Sequence, residues 1–232
     1  MKQAVIMCGG IGSRLKKKIP KVLVKINQKT ILEYQLNLFR KYGFKKFILL
    51  TSYKSKLIEN FIKKKIFYKN VKIIKENKRL GTGGALLNSI EHLEKEFCLI
   101  YGDILTNINL KKMYSFFKIK KCDSCLVINK NDNYKDSNLL TIYKNLKIKD
   151  FYFYPHEKIP KNSYSNEAIF MFKKSFFKNL NEKKLIEKPD LVRDILPLSK
   201  IKKKIYAFKA KDFIIDCGTP KRLKIARLKF YS

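Results

Sequence analysis

A glycine-rich segment near the amino terminus carries the residue types best suited to phosphate binding. It reads Cys8-Gly9-Gly10-Ile11-Gly12-Ser13-Arg14 and directly follows the apolar run Ala4–Met7. Glycines let backbone N–H groups approach phosphate oxygens without obstruction by side chains, and Arg14 adds a cation that can bind the same anion through two hydrogen bonds. The segment predicts a phosphate-binding loop after a buried strand, with a purely structural tight turn as the alternative.

The glycine spacing excludes two familiar nucleotide-binding motifs. A dinucleotide-binding fingerprint beginning at Gly10 would need a small residue where Leu15 stands, and an acidic residue at the end of the second strand. A P-loop would need Gly-Lys-Ser/Thr, which the sequence lacks. The chemistry of the loop therefore has to be read together with other segments of the chain.

Alternating apolar segments supply the elements that must hold this loop. Up to Tyr101 strand-like runs alternate with helical spacing, which predicts an α/β fold with a Rossmann-like, doubly wound, mostly parallel sheet. From about Ser124 strand-like runs follow one another with little helix between them, which predicts an antiparallel accessory β region on the same sheet. Further helices are predicted over Ala85–Leu93, Leu191–Leu198 and Pro220–Phe230.

The chain reads as one domain. No Gly/Ser/Pro-rich linker, internal repeat or low-complexity block divides it, apart from a diffuse richness in lysine. The sequence therefore predicts a single domain over residues 1–232, with a first half at 1–123 and a second half at 124–232.

The strongly basic composition is the next feature to explain. The 232 residues include 53 Lys+Arg against 19 Asp+Glu, which gives a formal net charge of +34. Such a charge could draw the chain onto nucleic acid or an anionic membrane. Only six of the basic residues are arginine, and Ile, Asn, Phe and Tyr are abundant as well, so a bias toward AT-rich codons can account for much of the excess.

Two further protein classes are disfavoured by the sequence. No apolar run approaches the roughly 18 residues that a membrane helix needs, so a cytoplasmic protein is predicted. Five cysteines, an odd number at irregular spacing, argue against a secreted fold held by disulfides.

Cys122 and Cys125 form a CxxC pair, but zinc would need two more ligands, and the two histidines of the chain, His92 and His156, are far away in sequence. We expect core thiols there, with a metal site as the alternative.

The glycine-rich segment is the first of four motifs whose order resembles that of the sugar-phosphate nucleotidyltransferases. Together the motifs span most of residues 4–220 and consist of the glycine-rich segment with Pro20–Leu23 and Ile31–Glu33, then Leu80–Ala85, Tyr101–Asp103 and Ile215–Pro220. The third reads Tyr-Gly-Asp and the last reads Ile-Asp-Cys-Gly-Thr-Pro. Among subfamilies the chain is most similar to the D-glycero-D-manno-heptose 1-phosphate guanylyltransferases, followed by the mannose-1-phosphate guanylyltransferases.

This resemblance implies an enzyme of nucleotide-sugar biosynthesis with a nucleotide-diphospho-sugar transferase fold. The reaction would join a nucleoside triphosphate, GTP by subfamily, to heptose or mannose 1-phosphate and release pyrophosphate, in the service of a surface polysaccharide. The first half of the chain would bind the nucleotide and the second half the sugar phosphate. Arg14 and Lys21 would neutralise developing charge, and Asp103 and Asp216 would hold Mg²⁺, for which two carboxylates plus phosphate oxygens are sufficient. Taken without the other motifs, each of these aspartates could equally be a turn or helix-capping residue, which is common for an aspartate that follows a strand.

The resemblance also assigns binding residues. Arg14, Lys21 and Asp103 are the predicted catalytic residues, and Gly81–Gly84 would bring backbone close to the base and ribose, with a helix beginning at about Ala85. The predicted sugar-phosphate-binding residues are Asn166 and Glu167. The predicted nucleotide-binding residues are Cys8, Gly9, Gly10, Gly12, Ser13, Arg14, Gly81, Thr82 and Gly83.

Three positions depart from the family pattern. Val22 stands where a second proline is frequent, which loosens the local backbone but keeps Lys21. The segment Asn166–Phe170 keeps the asparagine of an Asn-Ala-Gly-Ile-Tyr box but replaces its glycine with Ala168, which leaves the sugar open. Glu187-Lys188-Pro189 resembles a sugar-phosphate-binding triplet of relatives but follows this box instead of preceding it, so we interpret it as structural, at a helix end.

Several alternatives stay open at this point. The same reaction with CTP, UTP or dTTP, or with an acceptor that is not a hexose, fits the motifs equally well. A nucleic-acid-binding protein is a second class, although lysines are dispersed and arginine is scarce. A catalytically inactive regulatory relative is disfavoured because Arg14, Lys21, Asp103 and Asp216 are all present. We expect no nucleic acid or membrane as partner, and the oligomeric state, including a homo-oligomer, is open.

Overall fold

The computed structural model describes residues 1–10, 19–64, 70–130, 137–156, 158–178, 180, 186–200 and 202–230. The chain folds into two compact units. Unit 1 consists of Met1–Arg79, Leu99–Leu110 and Asp212–Ser232, and unit 2 consists of Leu80–Cys98 and Lys111–Lys211. The units alternate along the sequence, so neither coincides with residues 1–123 or 124–232. The single domain with those two halves stays a prediction.

Helices and strands alternate through most of the chain. In chain order the strands are β1 (Gln3–Met7), β2 (Lys25–Ile26), β3 (Lys29–Thr30), β4 (Lys46–Thr51), β5 (Val71–Lys75), β6 (Glu96–Tyr101), β7 (Ile104–Thr106), β8 (Ser124–Asn129), β9 (Leu139–Ile142), β10 (Ile148–Tyr152), β11 (Tyr164–Lys173), β12 (Ile205–Lys209) and β13 (Ile214–Asp216). The helices are α1 (Ile31–Lys41), α2 (Ser55–Lys63), α3 (Gly81–Asn88), α4 (Leu110–Ile119), α5 (Leu196–Ser199) and α6 (Pro220–Lys229). A π-helical turn, Leu191–Ile195, runs directly into α5.

Parallel strands form the centre of unit 1. Strand β1 pairs in parallel with β4, and β4 pairs in parallel with β5, while α1 and α2 connect them. Ala4, Val5 and Ile6 of β1 have no exposed surface. Continuous apolar runs of this kind are typical of parallel strands covered on both faces. The predicted order of strand, helix, strand, helix and strand is confirmed.

Helix α1 begins and ends with local signals that the sequence carries. Thr30 forms a capping box with Glu33, because its hydroxyl accepts from the Glu33 N–H at 3.2 Å while the Glu33 carboxylate accepts from the Thr30 N–H at 2.8 Å. This satisfies two N–H groups that would otherwise lack a partner at the helix start. Gly43, at a φ of +81°, ends the helix in the left-handed conformation that glycine adopts without strain.

A small antiparallel sheet in unit 1 joins segments that are far apart in sequence. Strand β13 pairs with β7, so that Ile215 lies opposite Leu105 and Asp216 opposite Ile104. Leu105 and Ile215 belong to a buried cluster with Val24, Ile31, Leu223 and other apolar residues. Each strand is only three residues long, so hydrophobic periodicity could not predict this pairing.

Unit 2 contains the predicted antiparallel region. Strand β11 pairs antiparallel with β8 and β9, and β10 pairs antiparallel with β9. Two elements were not predicted: helix α4, and strand β12, which adds to β8 in parallel. The accessory region is therefore mixed instead of purely antiparallel.

The cysteines lie where the sequence predicts. All five are free and buried, including the CxxC pair Cys122 and Cys125 in unit 2. In the part of the chain that the structure describes, no helix has both the length and the apolar character required to cross a membrane.

Candidate active site

The first residues of the glycine-rich loop are fixed by the sheet of unit 1. The Cys8 N–H donates to the Leu50 carbonyl at 2.7 Å, and the Ser52 hydroxyl donates to the Gly9 carbonyl at 3.3 Å. Among the residues that the structure describes, none would lie within 4 Å of a Cβ atom added at Gly10. Burial raises the pKa of the Cys8 thiol well above its usual range. Of the predicted loop residues in the described range, Gly9 and Gly10 are therefore better placed than Cys8 to offer backbone groups to a ligand.

Gly12, Ser13 and Arg14 lie outside the described residues. Their assignment to the nucleotide stays a prediction.

Lys21 and Asp103 form an ion pair in unit 1. Lys21 Nζ lies 2.8 Å from Asp103 Oδ2, and the two side chains are only 15% and 22% exposed. Lys21 opens a hydrogen-bonded 3-10 turn in which the Leu23 N–H donates to Pro20 and the Val24 N–H donates to Lys21. Such a half-buried pair is screened less by solvent than a surface pair. The sequence singled out both residues, and the structure brings them together.

The side chain of Val22, at the position of the missing second proline, is buried within this turn. It has an exposure of 2%. A Cβ atom added at Gly102 would lie 2.4 Å from Val22 Cγ1 and 2.5 Å from the Met7 carbonyl oxygen. Only glycine therefore fits before Asp103, because β1 and the turn approach this position closely.

The backbone around Asp103 is held by Gln35, a buried residue of α1. Gln35 Nε2 donates to the Tyr101 carbonyl at 2.9 Å and to the Ile104 carbonyl at 2.8 Å. The Cys217 N–H donates to the Asp103 carbonyl at 2.7 Å. Asp103 is thus fixed from both sides, which preorganises its carboxylate.

The pairing of β7 with β13 places Asp216 beside the segment that carries Asp103. Its Oδ1 accepts from the Gly218 N–H at 2.6 Å, and its Oδ2 accepts from Arg222 Nη1 at 2.6 Å. Because Asp216 lies opposite Ile104 in the register, it is a close neighbour of Asp103. The backbone of the two aspartates that the motifs predicted as metal ligands is therefore brought to one end of a small sheet.

The donor set around Asp103 and Asp216 fits a hard cation. Within the described ranges, no group of three or more His, Cys, Asp or Glu side chains is arranged to hold a metal. The protein would therefore supply two carboxylates and leave the other positions to water and phosphate oxygens. That ligand set suits Mg²⁺, which keeps several waters and binds substrate phosphates. Both carboxylates also contact cations, Lys21 and Arg222, so the four side chains together are close to neutral.

The charged groups of this cluster affect the pKa of the Cys217 thiol. Burial raises its pKa to about 12, and the negative charges of Asp216 and Asp103 add to the shift, while Lys21 and Arg222 oppose it. All four charged groups of the cluster thus act on one fully buried sulfur.

We expect Cys217 to be alkylated very slowly in the folded protein. Because only the thiolate reacts, a pKa of about 12 predicts a rate with iodoacetamide at pH 8 that is at least about 100-fold below that of the unfolded chain. The rate should rise with pH without a plateau between pH 8 and 10, and peptide mass spectrometry measures it for this residue alone. A plateau near pH 9 in the native protein would contradict the raised pKa; the same peptide in urea is the control.

The Gly-Thr-Gly-Gly box forms the first turn of α3 in unit 2. The prediction that the helix begins at about Ala85 is wrong, because α3 starts at Gly81. Gly81 has a φ of +74°, and a Cβ atom there would lie 2.7 Å from the carbonyl oxygens of Lys188 and Pro189. A Cβ atom at Gly83 would lie 2.5 Å from Ile195 Cδ1. Within unit 2, the space freed by these glycines is thus used by neighbouring protein atoms.

The triplet Glu187-Lys188-Pro189 lies directly before the helix that begins at Leu191. Its contact with the box is made by backbone, since the Gly83 N–H donates to the Pro189 carbonyl at 2.8 Å. This supports the structural interpretation of the triplet, at the start of a helix.

Asn166 and Glu167 lie at an irregularity of β11, in unit 2. The pairing of β11 with β8 shifts register between Asn166 and Phe170, and Ala168 has a φ of +54°. The Asn166 carboxamide accepts from the Ala168 N–H at 3.1 Å, and the Glu167 carboxylate accepts from the Ser165 hydroxyl at 2.6 Å. Ala168 thus adopts the left-handed conformation for which glycine is better suited.

Replacing Ala168 with glycine should stabilise the protein. The left-handed conformation costs an alanine about 1–2 kcal/mol, and part of the gain is lost to the greater entropy of glycine in the unfolded chain, so we expect a net gain of about 0.5–1 kcal/mol. Urea unfolding measures it. Ala226→Gly, at a buried position within α6, is the control and should destabilise by about 1 kcal/mol. Equal destabilisation by both changes would show that the φ of Ala168 carries no strain.

Sequence reasoning missed three residues that fix these segments. Gln35 interrupts the apolar face of α1, and this polar residue among buried neighbours was the available signal. Arg222 and Asp190, the second of which contacts Thr82 at 2.8 Å, left no signal because their partners are distant in sequence.

Comparison with known proteins identifies relatives over nearly the whole chain. The sequence profile of the family described as "Nucleotidyl transferase" matches residues 3–230. The chain is 30% identical over 224 residues to the D-glycero-alpha-D-manno-heptose 1-phosphate guanylyltransferase of Campylobacter jejuni, covering 94% of this chain and 95% of that protein. It is 26% identical to the enzyme of the same name from Aneurinibacillus thermoaerophilus, with 94% of each chain covered.

A solved structure agrees with these sequence relatives. HddC from Yersinia pseudotuberculosis, in complex with GMP-PN, superposes with a TM-score of 0.82 at 28% sequence identity, covering all of both chains. The predicted fold class is therefore confirmed, as is the resemblance on which the site residues were assigned.

Proposed function

Because the chain belongs to the nucleotidyl transferase family, we propose that it transfers a guanylyl group from GTP to a sugar 1-phosphate and releases pyrophosphate. The sugar phosphate is D-glycero-D-manno-heptose 1-phosphate, with mannose 1-phosphate as the second candidate. The observation that carries this proposal is the 30% identity, over almost the full length of both chains, to a heptose 1-phosphate guanylyltransferase. The complex of HddC with GMP-PN supports a guanine nucleotide.

The chemistry needs charge stabilisation more than proton transfer. The phosphate of a sugar 1-phosphate is already ionised at neutral pH, so its oxygen can attack the α-phosphorus of GTP without a general base. The protein must hold two polyanions in line and stabilise the negative charge that develops on the leaving pyrophosphate. Lys21, fixed against Asp103, is positioned for this task, and we assign the same task to Arg14.

Asp103 and Asp216 are the proposed ligands of Mg²⁺. When bound, the metal would polarise phosphoryl oxygens and neutralise charge on the triphosphate. The residues of this chain would supply two carboxylates on a rigid sheet end, with the backbone of Asp103 locked by Gln35 and Cys217. Lys21 and Arg222 already balance the two carboxylates, so the triphosphate would bring the net negative charge that draws the metal in.

The remaining assignments follow the family motifs. Gly9 and Gly10 would offer backbone N–H groups to phosphate, together with Gly12 and Ser13. Gly81 and Gly83 would approach the nucleotide through their backbone, while Asn166 and Glu167 would contact the sugar phosphate. We place the reaction in the cytoplasm, where nucleoside triphosphates are made and used.

Pyrophosphate release tests the proposal directly. The purified protein is incubated with each of five nucleoside triphosphates (GTP, ATP, CTP, UTP and dTTP) and a panel of sugar 1-phosphates, with Mg²⁺ or with EDTA. We expect turnover with GTP and one sugar phosphate, and none with EDTA. A strong preference for another triphosphate would overturn the guanylyl assignment alone. No turnover with any pair, together with tight RNA binding at physiological salt, would overturn the proposed reaction.

A further inference from the structure

Two helix starts in unit 2 satisfy each other's backbone groups. The first N–H groups of a helix have no partner within the helix itself. At α3, the Gly83 and Gly84 N–H groups donate to the Pro189 carbonyl at 2.8 and 3.3 Å. At the neighbouring helix, the Leu191 N–H donates to the Thr82 hydroxyl oxygen at 2.9 Å. The box and the segment before Leu191 are therefore locked together in both directions.

Asp190 divides its two carboxylate oxygens between these helix starts. Its Oδ1 accepts from the N–H groups of Val192 and Arg193 at 2.8 and 2.9 Å, which caps the helix of its own segment. Its Oδ2 accepts from the Thr82 hydroxyl at 2.8 Å. Its N–H donates to Asp194 Oδ2 at 2.6 Å, which fixes the position of Asp190 itself. Capping and the contact with Thr82 thus use different atoms.

The hydroxyl proton of Thr82 is used within these contacts. Its single proton goes to Asp190, and its oxygen accepts from Leu191. A side chain that donates and accepts in this way has no proton left to give to a ligand. Helix α3 also lacks a side-chain cap of its own, since Leu80 precedes it. The conformation of the box therefore depends on contacts made by the Pro189–Asp190 segment.

We infer that Asp190 is a positioning residue, which acts through Thr82 to hold the Gly81–Gly84 box in the conformation that binds the nucleotide. The inference rests on the proposed function, because it takes the box to be part of the nucleotide site. Hydrogen bonds to a carboxylate are stronger than neutral ones, which makes an aspartate suited to fixing a box that consists of three glycines and one threonine. Thr82 contributes through its hydroxyl contacts within unit 2 instead of through contact with the nucleotide.

Four variants separate positioning from helix capping. Asp190→Ser keeps a good capping oxygen for its own helix but gives up the oxygen that binds Thr82, whereas Asp190→Ala loses both. Thr82→Val removes the hydroxyl at nearly constant volume, and Thr82→Ser keeps it. For each variant we would measure the melting temperature, kcat, the KM for GTP and the KM for the sugar phosphate.

The expected result for Asp190→Ser is a change in nucleotide binding without a matching change in stability. Asp190→Ser and Thr82→Val should each raise the KM for GTP about tenfold, with kcat and the KM for the sugar phosphate within about threefold of wild type. Asp190→Ser should melt close to wild type and Asp190→Ala clearly lower. Thr82→Ser keeps the hydroxyl and should retain the wild-type KM. The double variant Asp190→Ser/Thr82→Val should be no worse than Thr82→Val alone, because the contact that Asp190→Ser removes is one of the two that Thr82→Val removes.

A wild-type KM for GTP in Asp190→Ser would overturn the inference, since Asp190 would then act only as a cap. Additive effects in the double variant would overturn it as well. If the wild-type protein turns over no substrate pair, the proposed function has failed. Affinity for a fluorescent GTP analogue, measured in the same variants, decides between positioning and capping in that case. Weaker affinity in both Asp190→Ser and Thr82→Val supports positioning, and an unchanged affinity in Asp190→Ser overturns it.

Discussion

Asp103→Asn should abolish turnover, with kcat lowered by at least about 1000-fold. The amide cannot neutralise Lys21, from which Asp103 Oδ2 is 2.8 Å away, and it is a poor ligand for Mg²⁺. The backbone that positions residue 103 is bound through carbonyl and N–H groups, so the substitution leaves it in place. Initial rates of pyrophosphate release with the preferred substrate pair, over a range of Mg²⁺ concentrations, measure the effect.

The matched control is Asp150→Asn in unit 2. Asp150 also forms a close ion pair, with Lys200 at 2.6 Å, but its side chain is 42% exposed and belongs to no motif. A surface pair of this kind contributes about 1 kcal/mol or less, so we expect wild-type turnover and nearly wild-type stability. Turnover of Asp103→Asn within tenfold of wild type, in a folded protein, would show that this carboxylate is not part of the catalytic machinery.

Gly81→Ala should lower the free energy of unfolding more than Gly43→Ala does. A φ of +74° costs an alanine about 1–2 kcal/mol, and the added Cβ would lie 2.7 Å from two carbonyl oxygens that belong to backbone. Overpacking of this kind adds about 1–3 kcal/mol, so the expected loss is about 3 kcal/mol. Urea unfolding followed by circular dichroism measures it.

Gly43→Ala separates the two causes. Gly43 has a similar φ of +81°, but a Cβ atom there would meet no atom of the described part of the chain within 4 Å. We therefore expect a loss of about 1 kcal/mol from backbone strain alone. If the two variants lose the same free energy of unfolding, the carbonyls of Lys188 and Pro189 move aside without cost and the close approach is unimportant.

The parallel core of unit 1 could be predicted because its signals are local. The apolar runs at β1, β4 and β5, the capping box at Thr30 and the glycine at Gly43 each act within a few residues of chain. The prediction also missed β12 and α4 of unit 2, although the buried residues Leu110, Met113 and Phe117 of α4 stand at helical spacing. Boundaries near glycine were also wrong, since α3 begins at Gly81 although glycine is a poor helix former.

In the candidate site, too, some residues carry a signal in the local sequence and others do not. Lys21, Asp103 and Asp216 were predicted from motif residues, and the structure shows Lys21 paired with Asp103, while their roles in the reaction stay a prediction. Their anchors could not be found, because Gln35 and Arg222 act on backbone or carboxylates far away in sequence. The predicted role of Thr82 as a nucleotide contact stays untested, and its hydroxyl contacts suggest the different task proposed above.

The sequence by itself determined the fold class, the family and the residue types that the chemistry requires, since these follow from apolar period and from motifs within short stretches of chain. The large positive charge proved a poor guide, because the cluster around Asp103 and Asp216 is close to neutral. Only the tertiary structure decided which groups meet: the register of β7 with β13 places two aspartates together, and Asp190 joins two helix starts. Such contacts depend on strand pairing and close packing between distant segments, which leave no pattern in local sequence.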